Sequence, residues 1–95
     1  MIPASTGSAQ DIGKLFPELN AKLICQAIRV PLPTVSMINL TVEISKKATR
    51  VTVNEAFIKA ASGNLKGVLA VSEDELVSKD YTGNPNSSVV DTYLT

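Results

Sequence analysis

Between Val35 and Ile44 the side chains alternate: Ile38, Leu40, Val42 and Ile44 are apolar, while Asn39, Thr41 and Glu43 between them are polar. Successive side chains of a strand point to opposite faces, so this spacing predicts a strand over Val35–Ile44 with one face on a core. Helices are then expected to cover that face. The chain has 95 residues, which is one domain at most. A domain of this size buries only about two thirds of its unfolded surface, so an incomplete core would leave it precarious.

Other segments supply candidate partners. Ala9, Ile12, Gly13 and Phe16 fall at helical spacing after Ser5-Thr6-Gly7, and Pro17 ends that run because it offers no backbone donor. From Lys22 to Val30 apolar residues crowd both faces, as in a strand covered on two sides, and Pro31 and Pro33 forbid its continuing into a regular ladder. Thr52 and Glu55 have the spacing of a capping box. The helix predicted to follow carries Val53, Ala56, Phe57, Ala60 and Ala61 on one stripe, and Gly63 is expected to end it in the left-handed conformation. Leu65–Val71, Leu76–Tyr81 and a segment from Ser87 to Asp91 read as strands, with Glu73-Asp74-Glu75 a solvated turn and Gly83-Asn84-Pro85-Asn86 a loop. The final Tyr93-Leu94-Thr95 reads as strand-like, without a turn or cap.

Composition excludes several classes. Nine basic residues balance nine acidic ones, so no overall field attracts nucleic acid or an anionic membrane. The apolar runs are too short to span a bilayer, no signal peptide is recognisable, and the single Cys25 cannot close an internal disulfide. The expected setting is cytoplasmic, where the sequons at Asn39 and Asn86 are chance matches. Lys46-Lys47-Ala48-Thr49-Arg50 reads as a solvated basic loop, Cys25 as a small hydrophobe, and the Glu73-Asp74-Glu75 carboxylates as a surface turn rather than metal ligands. No metal site is expected.

One chemistry is suggested locally. Thr6 and Gly7 stand where a helix begins, where unpaired N–H groups and a partial positive charge accommodate an anion; the missing side chain of Gly7 lets a ligand approach the backbone. Arg29 offers a planar fork of donors matched to phosphate. On pattern alone a simpler reading stays open, in which Ser5 or Thr6 is an N-cap and Arg29 pairs with Glu18 or Glu43.

The pieces Ile2-Pro3-Ala4-Ser5-Thr6-Gly7, Pro17-Glu18-Leu19-Asn20-Ala21-Lys22-Leu23, Arg29-Val30-Pro31-Leu32-Pro33-Thr34-Val35-Ser36, Leu65-Lys66-Gly67-Val68-Leu69, Leu76-Val77-Ser78-Lys79-Asp80-Tyr81 and Ser87-Ser88-Val89-Val90-Asp91 occur in this order. Together they resemble the C-terminal catalytic domain of glyceraldehyde-3-phosphate dehydrogenase over nearly the whole chain. The resemblance implies an α+β fold, with a largely antiparallel or mixed sheet carrying helices on one face, and residues 1–95 as part of that domain without the cofactor-binding one. It implies an enzyme that oxidises glyceraldehyde 3-phosphate with NAD or NADP and inorganic phosphate inside a homotetramer. Thr6 and Gly7 would then lie at the site of the inorganic or substrate phosphate, and Arg29 would also bind a phosphate group.

The departures define what these residues lack. They contain no histidine, and neither the family's nucleophile segment nor its Gly-rich dinucleotide turn. Cys25 lies in a strand rather than at a helix start. Ile24-Cys25-Gln26 and Asn39 replace residues usual in the family. No catalytic residue is therefore expected here, no cofactor is expected to bind these residues alone, and the isolated chain is expected to be inactive and marginally stable. The alternative reading is a non-catalytic module that binds phosphorylated ligands or a dehydrogenase subunit. NAD versus NADP, and glyceraldehyde 3-phosphate versus erythrose 4-phosphate, depend on segments outside these residues.

Overall fold

The computed structural model describes residues 1–95, which divide into two compact units, Met1–Pro33 and Thr34–Thr95. In the first unit, strand β1 (Ile2–Ala4) leads into helix α1 (Ser8–Leu15), and a 3-10 turn over Pro17–Leu19 precedes strand β2 (Ala27–Arg29). The two strands are antiparallel, with Ile2 opposite Arg29, Pro3 opposite Ile28 and Ala4 opposite Ala27. This register explains why only Ala27–Arg29 of the predicted Lys22–Val30 strand is formed. Beyond Ala4 the chain turns into α1, so nothing is left to pair with the residues before Ala27.

Helix α1 matches its sequence signal closely. Gly7 is its N-cap, its last N–H interaction comes from Phe16, which donates to the Ile12 carbonyl, and Pro17 opens the next turn. Gly13 is buried, because a Cβ there would lie 3.1 Å from Asn20 Oδ1 and 3.4 Å from Asn20 Cα. The chain after the 3-10 turn therefore passes close against the helix at its one residue without a side chain.

In the second unit, helix α2 (Arg50–Ser62) is followed by strand β3 (Leu69–Ser72), and strand β4 (Ser88–Asp91) lies parallel to β3 with Leu69 opposite Ser88 and Ser72 opposite Asp91. Parallel strands need a crossover of a dozen or more residues, and residues 73–87 provide it. Val53, Asn54, Phe57, Ala60 and Ala61 are half-buried on α2, which packs against β3; this is the expected stripe with Ala56 left exposed. Two helices and small antiparallel and parallel sheets make the fold α+β, with mixed strand pairing.

Several elements differ from expectation for local reasons. The α2 start lies one helical residue after Thr49 rather than at Thr52, because Thr49 is the cap and Thr52 occupies the third helical position. Gly63 ends the helix at φ −109°, outside the left-handed region. That conformation falls instead on Gly67, at φ 81°, in a turn where Val68 N–H donates to the Leu65 carbonyl at 3.0 Å. Leu65–Val68 is thus spent on turning, and β3 begins only at Leu69. Leu76–Tyr81 is no strand: Val77 N–H donates to Asp80 Oδ2 at 2.8 Å and Asp80 N–H to the Val77 carbonyl at 2.9 Å. These bonds fold the segment into a 3-10 turn over Ser78–Tyr81, since a short carboxylate beside the backbone competes with a ladder. Thr92–Leu94, expected to be strand-like, is likewise a 3-10 turn, with Tyr93 N–H donating to Asp91 Oδ1 at 2.9 Å.

The largest difference is at Val35–Ile44, where no strand forms. Val35 itself has φ 69°, a costly conformation for a β-branched residue. Neither two-stranded sheet reaches the segment. No apolar residue anywhere in the chain is buried, so the alternating residues have no core to face.

Candidate functional site

The first unit holds all three residues singled out for anion binding. Thr6 and Gly7 link β1 to α1, and Gly7 caps the helix with φ −91° and ψ 5°. Neither Ser5 nor Thr6 is the N-cap, and Gly7 itself has no side chain with which to satisfy the first helical donors. Thr6 Oγ1 instead accepts a bond from Ser8 N–H at 3.2 Å, and the Thr6 and Ser8 hydroxyls lie 2.8 Å apart. Ser8 was missed in the sequence as a neighbour of this site. The signal was available, because a hydroxyl residue just after a candidate helix start commonly bonds into the first turn.

The conformation of Gly7 is one that other residues adopt, so backbone geometry does not require glycine there. A Cβ built on Gly7 would meet nothing within 4 Å. The glycine therefore leaves open space beside the first N–H groups of α1. Asp11 lies in the first turn of the same helix. Its carboxylate favours the helix dipole but opposes a second negative charge nearby.

Arg29 is exposed at the end of β2. In the antiparallel register it lies opposite Ile2, whereas Thr6 follows the other end of β1. At about 3.4 Å per residue, the separation along the strands is on the order of 10 Å. Thr6 and Gly7 thus form one anion position, and Arg29 stands at a second one further along the same hairpin. After Arg29, Leu32 N–H donates to the Val30 carbonyl at 2.8 Å, a tight three-residue turn around Pro31 that redirects the chain immediately beyond the guanidinium.

The chain's main hollow lies elsewhere. It encloses about 550 Å³ in the second unit, between the β3–β4 pair and the 3-10 turn, and its lining includes Ser72, Asp74, Asp80 and Tyr81. The Tyr81 hydroxyl has no hydrogen-bond partner. None of Thr6, Gly7 and Arg29 contributes to it. No group of histidine, cysteine and carboxylate side chains is arranged to hold a metal ion, and no helix is long and apolar enough to cross a membrane.

Comparison with known proteins decides the family. A family model described as "Glyceraldehyde 3-phosphate dehydrogenase, C-terminal domain" matches residues 1–95. The chain belongs to the glyceraldehyde-3-phosphate dehydrogenase family. A glyceraldehyde-3-phosphate dehydrogenase of Cryphonectria parasitica is 54% identical over 91 residues, covering 96% of this chain and 27% of the relative. Glyceraldehyde-3-phosphate dehydrogenase 1 of Globodera rostochiensis is 50% identical, over 96% of this chain and 28% of its own length. The testis-specific glyceraldehyde-3-phosphate dehydrogenase of Mus musculus is 48% identical, over 96% and 21% respectively. The chain therefore spans little more than a quarter of the curated relatives it matches. Within the glyceraldehyde-3-phosphate dehydrogenase family, the resemblance read from ordered sequence pieces holds along the full chain.

Proposed function

We propose that these residues are the phosphate-binding part of the catalytic domain of an NAD(P)-dependent glyceraldehyde-3-phosphate dehydrogenase, a cytoplasmic glycolytic homotetramer in its complete form. The observation that carries this reading is Gly7: it caps α1 in a conformation that does not demand glycine, and the space its missing side chain leaves is open. An anion in that space receives N–H groups from the first turn and the positive end of the helix dipole. The Thr6 hydroxyl adds a rotatable donor from the preceding residue. Arg29, on the far end of the hairpin, holds a second phosphate group with paired N–H donors. Two separate anion positions suit a reaction that brings together inorganic phosphate and a phosphorylated aldehyde.

Here these residues bind and orient. The thiolate that attacks the aldehyde and the base that activates it come from residues beyond these 95, since the chain has no histidine and its one cysteine lies before Arg29. NAD(P) accepts the hydride when bound. No Gly-rich dinucleotide turn occurs among these residues, so they supply nothing that fits the cofactor's pyrophosphate. The isolated chain is accordingly inactive as an aldehyde oxidant.

The test uses a dehydrogenase polypeptide that carries these residues in place of its own. Gly7→Val is expected to raise the phosphate or substrate requirement with little effect on the unrelated helix α2. Unchanged steady-state constants for both ligands would overturn the assignment.

A further inference from the structure

Residues 37–44 carry the signature of a strand without being one. Met37, Ile38, Leu40, Val42 and Ile44 are 81%, 83%, 68%, 61% and 56% exposed, and the segment pairs with neither sheet. β-branched and apolar residues alternating with polar ones fit a half-buried pleated surface, and such a segment left in water exposes both an apolar stripe and unpaired backbone groups. The surface area sets the scale of what is missing. The accessible surface is 8480 Å² for a chain of 10.1 kDa, whereas a folded monomer of that mass exposes about 5,300 Å². The excess, roughly 3,200 Å², falls within the range of about 2,000–5,000 Å² that obligate interfaces bury.

We propose that residues 38–44 form a strand by pairing with a β-strand of dehydrogenase sequence outside these 95 residues, in the same polypeptide or another, with Ile38, Leu40, Val42 and Ile44 as the docking face. This rests on reading the chain as part of a dehydrogenase. The curated relatives, of which the chain covers about a quarter, contain ample sequence to supply such a strand. The four stripe residues carry no charge, and the chain's basic and acidic residues balance, so the partner is recognised by backbone pairing and apolar contact rather than by charge. A charged polymer does not fit this face.

The experiment co-expresses the chain with the Cryphonectria parasitica relative from which the matching residues have been deleted. Co-elution is followed by size-exclusion chromatography, amide exchange by mass spectrometry, and aldehyde oxidation by absorbance of the reduced nicotinamide. The expected result is a one-to-one complex in which exchange at residues 38–44 slows at least about tenfold, as for backbone withdrawn into a ladder. Leu40→Lys is expected to abolish co-elution, while Leu40→Ile retains it. A complex that Leu40→Lys leaves intact, or one in which residues 38–44 still exchange freely, would overturn the proposal. So would assembly of the chain only with copies of itself, or only with neutral lipid vesicles. If oxidation returns while Leu40→Lys behaves as the unsubstituted chain, the docking inference fails and the proposed function stands; a protected complex without oxidation gives the converse.

Discussion

Thr49 and Thr52 cap one helix reciprocally: Thr49 N–H donates to Thr52 Oγ1 at 2.9 Å, and Thr52 N–H donates to Thr49 Oγ1 at 3.3 Å. The Thr52 hydroxyl also donates to the Thr49 carbonyl at 2.9 Å. A single three-residue spacing thereby satisfies donors that the start of α2 would otherwise leave open. Thr49→Ala is expected to cost about 1 kcal/mol of helix stability, Thr52→Ala is expected to cost less, and the double variant should fall short of their sum because each hydroxyl serves the other. Circular dichroism at 222 nm on a peptide spanning residues 46–65 measures this. Equal helicity in the Thr49→Ala and unsubstituted peptides would place the helix start elsewhere.

The same pair shows why the sequence led to the existence of this helix but not to its first residue. Thr49 and Thr52 are both hydroxyl residues three apart, and Thr52-Val53-Asn54-Glu55 imitates the signature one turn later. Arg50 breaks the tie through contacts that sequence does not display: its guanidinium donates to the Thr92 carbonyl at 2.9 Å and the Tyr93 carbonyl at 3.2 Å. Asn54 Nδ2 donates to the same Thr92 carbonyl at 3.3 Å. Contacts some forty positions apart in the chain thus hold the first turn of α2. Periodicity did locate α1, the Val53–Ala61 stripe and the strand near Ser87, because those features are local. Val35–Ile44 was misread for the opposite reason, since alternation reports a capacity to pair and cannot supply the neighbour. For the candidate site, sequence separated Thr6, Gly7 and Arg29 from the rest, while only the Ile2–Arg29 register resolved them into two positions.

Gly13 sits where α1 passes closest to Asn20. Alanine there gains up to about 1 kcal/mol of helix propensity. Its Cβ would meet mainly the Asn20 side-chain oxygen at 3.1 Å, which can swing away, with Asn20 Cα at 3.4 Å. Gly13→Ala is therefore expected to be near neutral, and Gly13→Leu to destabilise by at least about 1–3 kcal/mol through overpacking against backbone. Denaturant midpoints of a dehydrogenase polypeptide carrying these residues distinguish the two. Equal midpoints for alanine and leucine would show that α1 and the Asn20 turn are not in contact.

Gly7 and Gly67 make a paired test of why a glycine is present. Gly67 has φ 81° with open space at its missing Cβ, so Gly67→Ala is expected to cost on the order of 1 kcal/mol from conformation alone. Gly7 has an ordinary φ of −91°, so Gly7→Ala is expected to leave stability unchanged or slightly raised while weakening phosphate binding. The readouts are thermal unfolding and phosphate titration of the same assembled polypeptide. A loss of stability at Gly7 without a loss of phosphate affinity would reverse the two assignments.

Asp11 offers the last test, because the proposed site and its helix respond to it in opposite directions. Its carboxylate lies in the first turn of α1, where it favours the dipole of the empty helix and repels an anion at Gly7 by a comparable amount, about 0.3–1 kcal/mol. Asp11→Asn keeps the side-chain shape and removes the charge. It is expected to tighten phosphate binding roughly twofold to fivefold, the factor corresponding to that energy, and to weaken α1 slightly. Raising the salt concentration should shrink the difference between the two proteins, since exposed charges are screened over about 10 Å at 0.1 M. Arg29→Lys separates this position from the other one. A lysine keeps the charge but loses the paired donors, so it should weaken the second phosphate while leaving the Asp11 effect on the first intact. If Arg29→Lys and Asp11→Asn change the same binding constant non-additively, the two anion positions are a single one, and the separation read from the Ile2–Arg29 pairing is wrong.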